Sequence, residues 1–305
     1  MTKKQFDVLV ALEANRNGVS AQCLAEKLGV CPEEIQALLV VLTEQGLIMD
    51  GVITEKGLEA LEPYKTKRAI FIAAGFGSRL RPVTLETPKP LVKVNGTRII
   101  DTLLDGVLAA GVEEIYVVCG YLGEQFQQLK GKYPNITLVT NEMYTQANNI
   151  SSVWLTREHL CNAYVLEADL LVHNLGIFDK YLYHSSYLGI PTEGTDDWYF
   201  KTDEAGVIYE VGYQEGVVVK DCHRMLGISY WSWEDGTRLA AHIDETFQVP
   251  ANRNEDWCFV PMFKYKKEYD VYVRPCAEAD IQEIDTYDEL CAVDPSYKNF
   301  TAQHI

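Results

Sequence analysis

The stretch Ala69–Leu91, AIFIAAGFGSRLRPVTLETPKPL, limits what this chain can fold into more than any other. Its first five residues, Ala69-Ile70-Phe71-Ile72-Ala73, are apolar without alternation. Such a short run is what a parallel strand buried on both faces requires. The run breaks into Gly75-Phe76-Gly77-Ser78-Arg79. Glycines directly after a buried strand let backbone N–H groups approach an anion without a Cβ in the way. Arg79, Arg81 and Lys89 add three cations, the last held between Pro88 and Pro90. A strand, a glycine loop and three cations together predict a triphosphate site. The string lacks the GxxxxGK[ST] of a P-loop, and its GxG spacing is not the dinucleotide fingerprint.

The rest of the composition narrows the partners. A formal net charge of −17 argues against general binding to nucleic acid or to an anionic membrane. Any polyanion site must then be a local basic pocket. No run approaches a membrane span, and Asp7 and Glu13 interrupt the only N-terminal apolar segment. The eight cysteines are scattered without a CxxC, which suits reduced thiols in a cytoplasmic protein.

Residues 1–64 read as a separate helical head. Phe6, Leu9, Val10 and Leu12 suggest one helix, and Ser20 caps a second that Gly29 stops. Pro32 opens a third, with Ile35, Leu38, Leu39 and Leu42 at helical spacing. Residues 46–53 predict a hairpin, and Thr54–Leu61 a last helix. This order resembles a winged helix-turn-helix domain. Its charges oppose DNA reading, with five bases against ten acids and no Lys or Arg in residues 32–45. We read the head as a protein-interaction or dimerisation module, through which a homo-oligomer would form. Residues 62–67 are the linker.

Residues 68–305 alternate strand and helix, which predicts an α/β domain with right-handed crossovers. Strands are expected at 115–119, 136–139 and 163–166, and helices at 99–110, 122–130 and 148–160. The second half is richer in β signal. Strands are expected at 198–202, 207–213, 217–220, 225–233 and 281–284, with a helix at 235–247; residues 257–263 fit either. Ligands of such sheets sit at the carboxyl ends of strands, which would place the Gly75 loop and Asp169 on one edge. Glu283 and Asp285 flank Ile284 and so share a face.

Five segments in order carry a narrower resemblance: AAGFGSRLRPVT with TPKPL, VCGYLGEQF (118–126), NEMYTQANNISS (141–152), EAD (167–169) and IQEIDTYDEL (281–290). Together they resemble the bacterial CTP:phosphocholine cytidylyltransferases. The resemblance implies a Rossmann-like, three-layer nucleotidyltransferase domain with a mixed sheet, following the small winged-helix head. It implies Mg²⁺, with Asp169 and Asp285 as ligands; Glu283 is a third candidate. Lys89 would contact the acceptor phosphate or α-phosphate, and Arg79 the triphosphate. Ala73, Ala74, Gly75, Gly77 and Ser78 would hold the nucleotide, with Gly120 and Asn148 near base and ribose. Glu167 departs from the pattern, outside the expected metal position. The implied reaction joins CMP from CTP to phosphocholine and releases pyrophosphate. An ionised phosphate needs no general base, which fits the lack of a persuasive catalytic histidine.

The acceptor can be approached from the residues as well. A quaternary ammonium donates no hydrogen bond and is held by aromatic faces. Trp198, Tyr187, Trp231 and Trp257 are the candidates, with Trp231 and Trp233 expected on one strand face. Asp196 and Asp197 beside Trp198 keep a primary amine open, as in 2-aminoethylphosphonate or phosphoethanolamine. Two further readings are a sugar-1-phosphate nucleotidyltransferase and a DNA-binding regulator with a nucleotide-sensing domain.

Overall fold

The computed structural model describes residues 1–15, 18–213 and 215–301. Arg16, one of the head's five bases, and the last four residues of the 68–305 range lie outside the described residues. The chain divides into two compact units, Met1–Lys65 with Tyr181–Tyr183, and Thr66–Lys180 with His184–Ile305.

In the first unit, α1 (Lys3–Glu13) starts at a Thr2 capping box. The Ser20 hydroxyl caps α2 (Ala21–Leu28), which ends at Gly29 in the left-handed region. Pro32 opens α3 (Pro32–Glu44). Strands β1 (Ile48–Met49) and β2 (Val52–Ile53) form an antiparallel hairpin. Asp50 and Gly51 both take positive φ at its turn, as a tight two-residue hairpin demands. Helix α4 (Glu55–Leu61) follows. Phe6, Leu9, Leu24, Ile35, Leu42 and Leu61 form the core of this unit.

The second unit is built on a nine-stranded mixed sheet. Its parallel part comprises β3 (Arg68–Ala73), a side hairpin of β4 (Lys93–Val94) and β5 (Thr97–Arg98), α5 (Ile99–Ala109), β6 (Glu114–Cys119), β7 (Ile136–Thr140), α6 (Ile150–Leu155) and β8 (Ala163–Glu167). The hairpin stands outside the sheet; in the sheet β3 lies between β8 and β6, and β7 borders β6, all parallel. Ile70, Val118 and Val165 pack on one face, together with Ile150 and Val153 of α6. The alternate residues Ala69, Phe71, Val117 and Leu166 point to the other face and are buried too. Two buried faces explain the unbroken apolar runs, and each fully buried Leu, Ile or Phe contributes roughly 1.5–3 kcal/mol.

Beyond β8 comes β9 (Leu170–Val172), then the antiparallel part: β10 (Ser186–Thr195), β11 (Tyr199–Thr202), β12 (Ile208–Gly212) and β13 (Val219–Trp231). Strand β13 runs thirteen residues. Its end pairs with β8, its middle with β11, and most of its length with β10. The sequence reading split β13 in two and carried it through Trp233. Trp233 instead opens α7 (Trp233–Gln248), whose Ser232 cap ends the strand. Strand β14 (Tyr272–Pro275) pairs parallel with β10. Strand β15 (Ile281–Glu283) pairs with β9, and α8 (Tyr287–Val293) follows. The expected helix at 148–160 is shorter, ending at Leu155 before a 3₁₀ turn, and residues 260–264 are helical. The result is a Rossmann-like α/β fold with a central mixed sheet.

Candidate active site

The parallel strands end along one edge, where the chain collects its polar groups. After β3 the loop turns at Gly77, with φ +59°. A Cβ there would stand 2.9 Å from the Lys89 Cβ, so a side chain is excluded by both backbone and space. The Thr84 hydroxyl donates to the Gly77 carbonyl at 2.8 Å and fixes the turn. At Gly75, by contrast, a Cβ would meet open space. Gly75 borders the cleft, as an anion-approaching glycine should.

Two segments bring the acids. Asp169 lies two residues past β8. The β15–β9 pairing sets Glu283 opposite Leu170, and Asp285 follows. Ile284 is fully buried between those acids, as alternation predicts. Lys89 then closes the group. Its Nζ donates to Asp169 Oδ2 at 2.8 Å and to Asp285 Oδ1 at 2.7 Å. Arg79 Nη2 sits 2.9 Å from the other Asp285 oxygen. Burial alone would depress the Lys89 ammonium, but Asp169 and Asp285 outweigh it and hold its pKa above the ordinary lysine value. Burial, followed by the charges of Asp169 and Asp285, pushes Glu283 up to about 7.

Glu167 is the residue the sequence reading set aside. Its carboxylate oxygen, with one each from Asp169 and Glu283, forms a group whose members lie within 4.8 Å of one another. Burial raises its pKa well above the usual carboxylate range, with Asp169 adding to the effect. The i, i+2 spacing to Asp169 was the available signal. Gly227 makes room for it, since a Cβ there would meet Glu167 Oε2 at 2.4 Å.

Three connected lobes open around this group, with Arg79 bordering all of them. The first, about 310 Å³, is lined by Ala73, Gly75, Gly77, Ser78, Lys89, Asp169 and Asp285. The second, about 450 Å³, adds Ala74, Phe76, Tyr144, Asn148, Ser151 and Ser152. Asn141 donates to both serine hydroxyls and anchors that wall. The third, about 390 Å³, is lined by Tyr187, Trp198, Tyr213, Trp257, Asp197, Asp256 and Glu283. Trp198 stacks on Tyr213 with centroids 5.8 Å apart and is 41% exposed. Asp256 is held by Asn149 at 2.5 Å. Arg81 is exposed and borders none of the three lobes.

One expectation requires correction. Trp231 does not face the cleft. It is fully buried behind Tyr187 and Trp257 at about 6 Å, and its indole N–H donates to Ser229. Its bulk belongs to the core, and Trp233 is exposed on α7 rather than beside it. Gly120 does not itself line a lobe but lies against Ala74 and Tyr144, which line the second. A Cβ there would lie 2.8 Å from the Tyr144 ring, so this glycine lets Tyr144 sit close to β6 and border the second lobe.

Comparison with known proteins agrees with this geometry. The family model for nucleotidyl transferases matches residues 68–182. The chain is 38% identical over 232 residues to a 2-aminoethylphosphonate cytidylyltransferase of Lancefieldella rimae, covering 92% of that protein and 75% of this chain. It is 34% identical over 235 residues to a choline-phosphate cytidylyltransferase of Streptococcus pneumoniae, covering 99% of that protein and 76% of this chain. The solved CTP:phosphocholine cytidylyltransferase from Streptococcus pneumoniae superposes with a TM-score of 0.68 at 31% identity, over 77% of this chain and all of that one. The chain therefore belongs to the nucleotidyl transferase family and, within it, to the cytidylyltransferases.

Proposed function

We propose that this chain transfers CMP from CTP to a small phosphate or phosphonate whose far end is a cationic amine, releasing pyrophosphate. The carrying observation is that three lobes share Arg79, which is bridged through Asp285 to Lys89 and Asp169 in the first of them. In this reading the glycine loop and Arg79 take the triphosphate, and the second lobe takes base and ribose. The third lobe takes the acceptor. The acceptor oxygen attacks the α-phosphorus, and the bond to the α–β bridging oxygen breaks. Lys89 and Arg79 stabilise charge on the transferring and leaving phosphates. The acceptor's ionised oxygen needs no base, so position and charge carry the reaction.

The donor set fits Mg²⁺, which takes oxygen ligands and favours one or two carboxylates with phosphates and water. Asp169 Oδ1 is buried with no hydrogen-bond partner, and the Glu167 and Glu283 oxygens lie beside the Asp169 carboxylate. Asp169 and Glu283, with Asp285 by family resemblance, would hold the ion, which when bound neutralises phosphate charge.

A primary amine is our first reading of the acceptor's far end. The third lobe carries Asp197, Asp256 and Glu167, whose oxygens can accept N–H bonds from an ammonium. The name of the Lancefieldella rimae relative is in keeping with this. Phosphocholine is the second reading, favoured by the stacked Trp198 and Tyr213. Pyrophosphate release with CTP and Mg²⁺ tests both, comparing 2-aminoethylphosphonate, phosphoethanolamine, phosphocholine and glucose-1-phosphate. Preference for a primary amine supports the first reading, and preference for phosphocholine the second. Turnover of glucose-1-phosphate alone, or silence with all four, sinks the proposal. For the head we propose a protein-interaction or dimerisation role, and a gel shift with DNA would overturn it.

A further inference from the structure

The two cations that a triphosphate would need are the two that occupy Asp285. Lys89 takes Oδ1 at 2.7 Å, and Arg79 sits 2.9 Å from Oδ2. Lys89 also bonds Asp169 at 2.8 Å, while its side chain is only 9% exposed. Among the described residues, the close carboxylate group is Glu167, Asp169 and Glu283; Asp285 is not in it. We infer that Lys89 and Arg79 lock Asp285, and that a triphosphate releases it as a metal ligand by drawing both cations away. The inference rests on the functional reading above and adds a coupling to it.

The physical argument is one of mutual exclusion. An ammonium between two aspartates at hydrogen-bond distance fills the space a divalent ion would need to bridge them. Two cations at such separation repel strongly where solvent is scarce. Phosphate oxygens offer both side chains an alternative partner of higher charge, and arginine suits that partner bidentately. Nucleotide binding then frees Asp285, and a metal bound across Asp169 and Asp285 favours the nucleotide reciprocally. The lock also keeps Asp169 and Asp285 from standing without a countercharge before substrate arrives, which buried acids resist.

The test is Mn²⁺ binding to the full chain without nucleotide, followed by electron paramagnetic resonance of free Mn²⁺. Lys89→Gln should bind Mn²⁺ about tenfold more tightly than the wild type, because the metal-competent arrangement no longer has to be selected against a tethered ammonium. The gain should vanish in the Lys89→Gln, Asp285→Asn double variant. No gain in the single variant, or a gain that survives in the double variant, overturns the inference. Arg79 is two-thirds exposed and dispensable to packing. Arg79→Gln therefore supplies the same comparison if Lys89→Gln melts early: a smaller gain, again lost with Asp285→Asn, is expected, and its absence overturns the lock. These readouts do not depend on turnover. If the acceptor assays fail while the gain appears, the functional reading falls and the lock stands; the reverse result removes the lock alone.

Discussion

Asp169 is the residue with most at stake. It receives Lys89 through one oxygen and leaves the other buried and unpartnered. Asp169→Asn should lower kcat by about 10²–10³-fold, the scale of losing one strong charge contact to a transferring group. Circular dichroism should show the fold unchanged; retained full activity would remove Asp169 from the site. Gly227 offers a subtler test. Gly227→Ala would press on Glu167, from Oε2 at 2.4 Å to Cβ at 2.8 Å. We expect kcat/KM to fall at least about tenfold with a stability loss of about 1–3 kcal/mol, the usual range for overpacking. An unchanged kcat/KM would show that the placement of Glu167 is immaterial. Lys89 and Arg79 were legible because their motif is local. Glu167 was passed over because it departs from the family pattern outside the expected metal position, although its neighbour two positions on was already a candidate.

At the scale of elements, the structure depends on close approaches between segments. Helix α7 passes so near the chain after the 157–159 turn that a Cβ at Gly236 would lie 2.3 Å from the Leu160 carbonyl. Gly236→Ala should cost about 1–3 kcal/mol by chemical denaturation, despite alanine's better helix propensity. A stabilised variant would mean the segments separate freely. On β13, His223 has a buried Nδ1 without a partner, and burial lowers its pKa below the ordinary value. The folded chain then refuses a proton that the unfolded chain accepts, so stability falls as pH drops through about 6.5. His223→Gln should lose that share of the decline when melting is followed from pH 7.5 to 5.5; identical profiles would contradict it. Strands β3, β6 and β8 were readable because both their faces are buried. Strand β10 was missed because Gly189, Pro191 and Gly194 break its pattern, yet it pairs along β13 for most of its length. Strand β9 has only three residues, too few for any periodicity to register.

For the whole molecule, charge is the governing property. With a net charge of −17, the chain repels polyanions except where Arg79 and Lys89 gather. No helix among the described residues is long and apolar enough to cross a membrane. The head folds around its own core, with acidic side chains at Glu33 and Glu34 in the first turn of α3. Electrophoresis of the full chain with duplex DNA should show no retardation at physiological salt. Salt-sensitive retardation would restore the regulator reading of the head.

The sequence alone determined the local chemistry: a buried strand, a glycine loop, cations between prolines, and acids at strand ends. Each depends on neighbours within a few positions, where propensity and sterics act directly. The tertiary structure decided which distant residues meet. The β15–β9 pairing carries Glu283 and Asp285 to Asp169, across more than a hundred positions. It also sorted the aromatics, leaving Trp198 at the cleft and sinking Trp231 into the core. Side-chain type cannot make that distinction, because a tryptophan suits a binding face and a packed interior equally well. Only the path of β13 between β8 and β10 settles which of the two it serves.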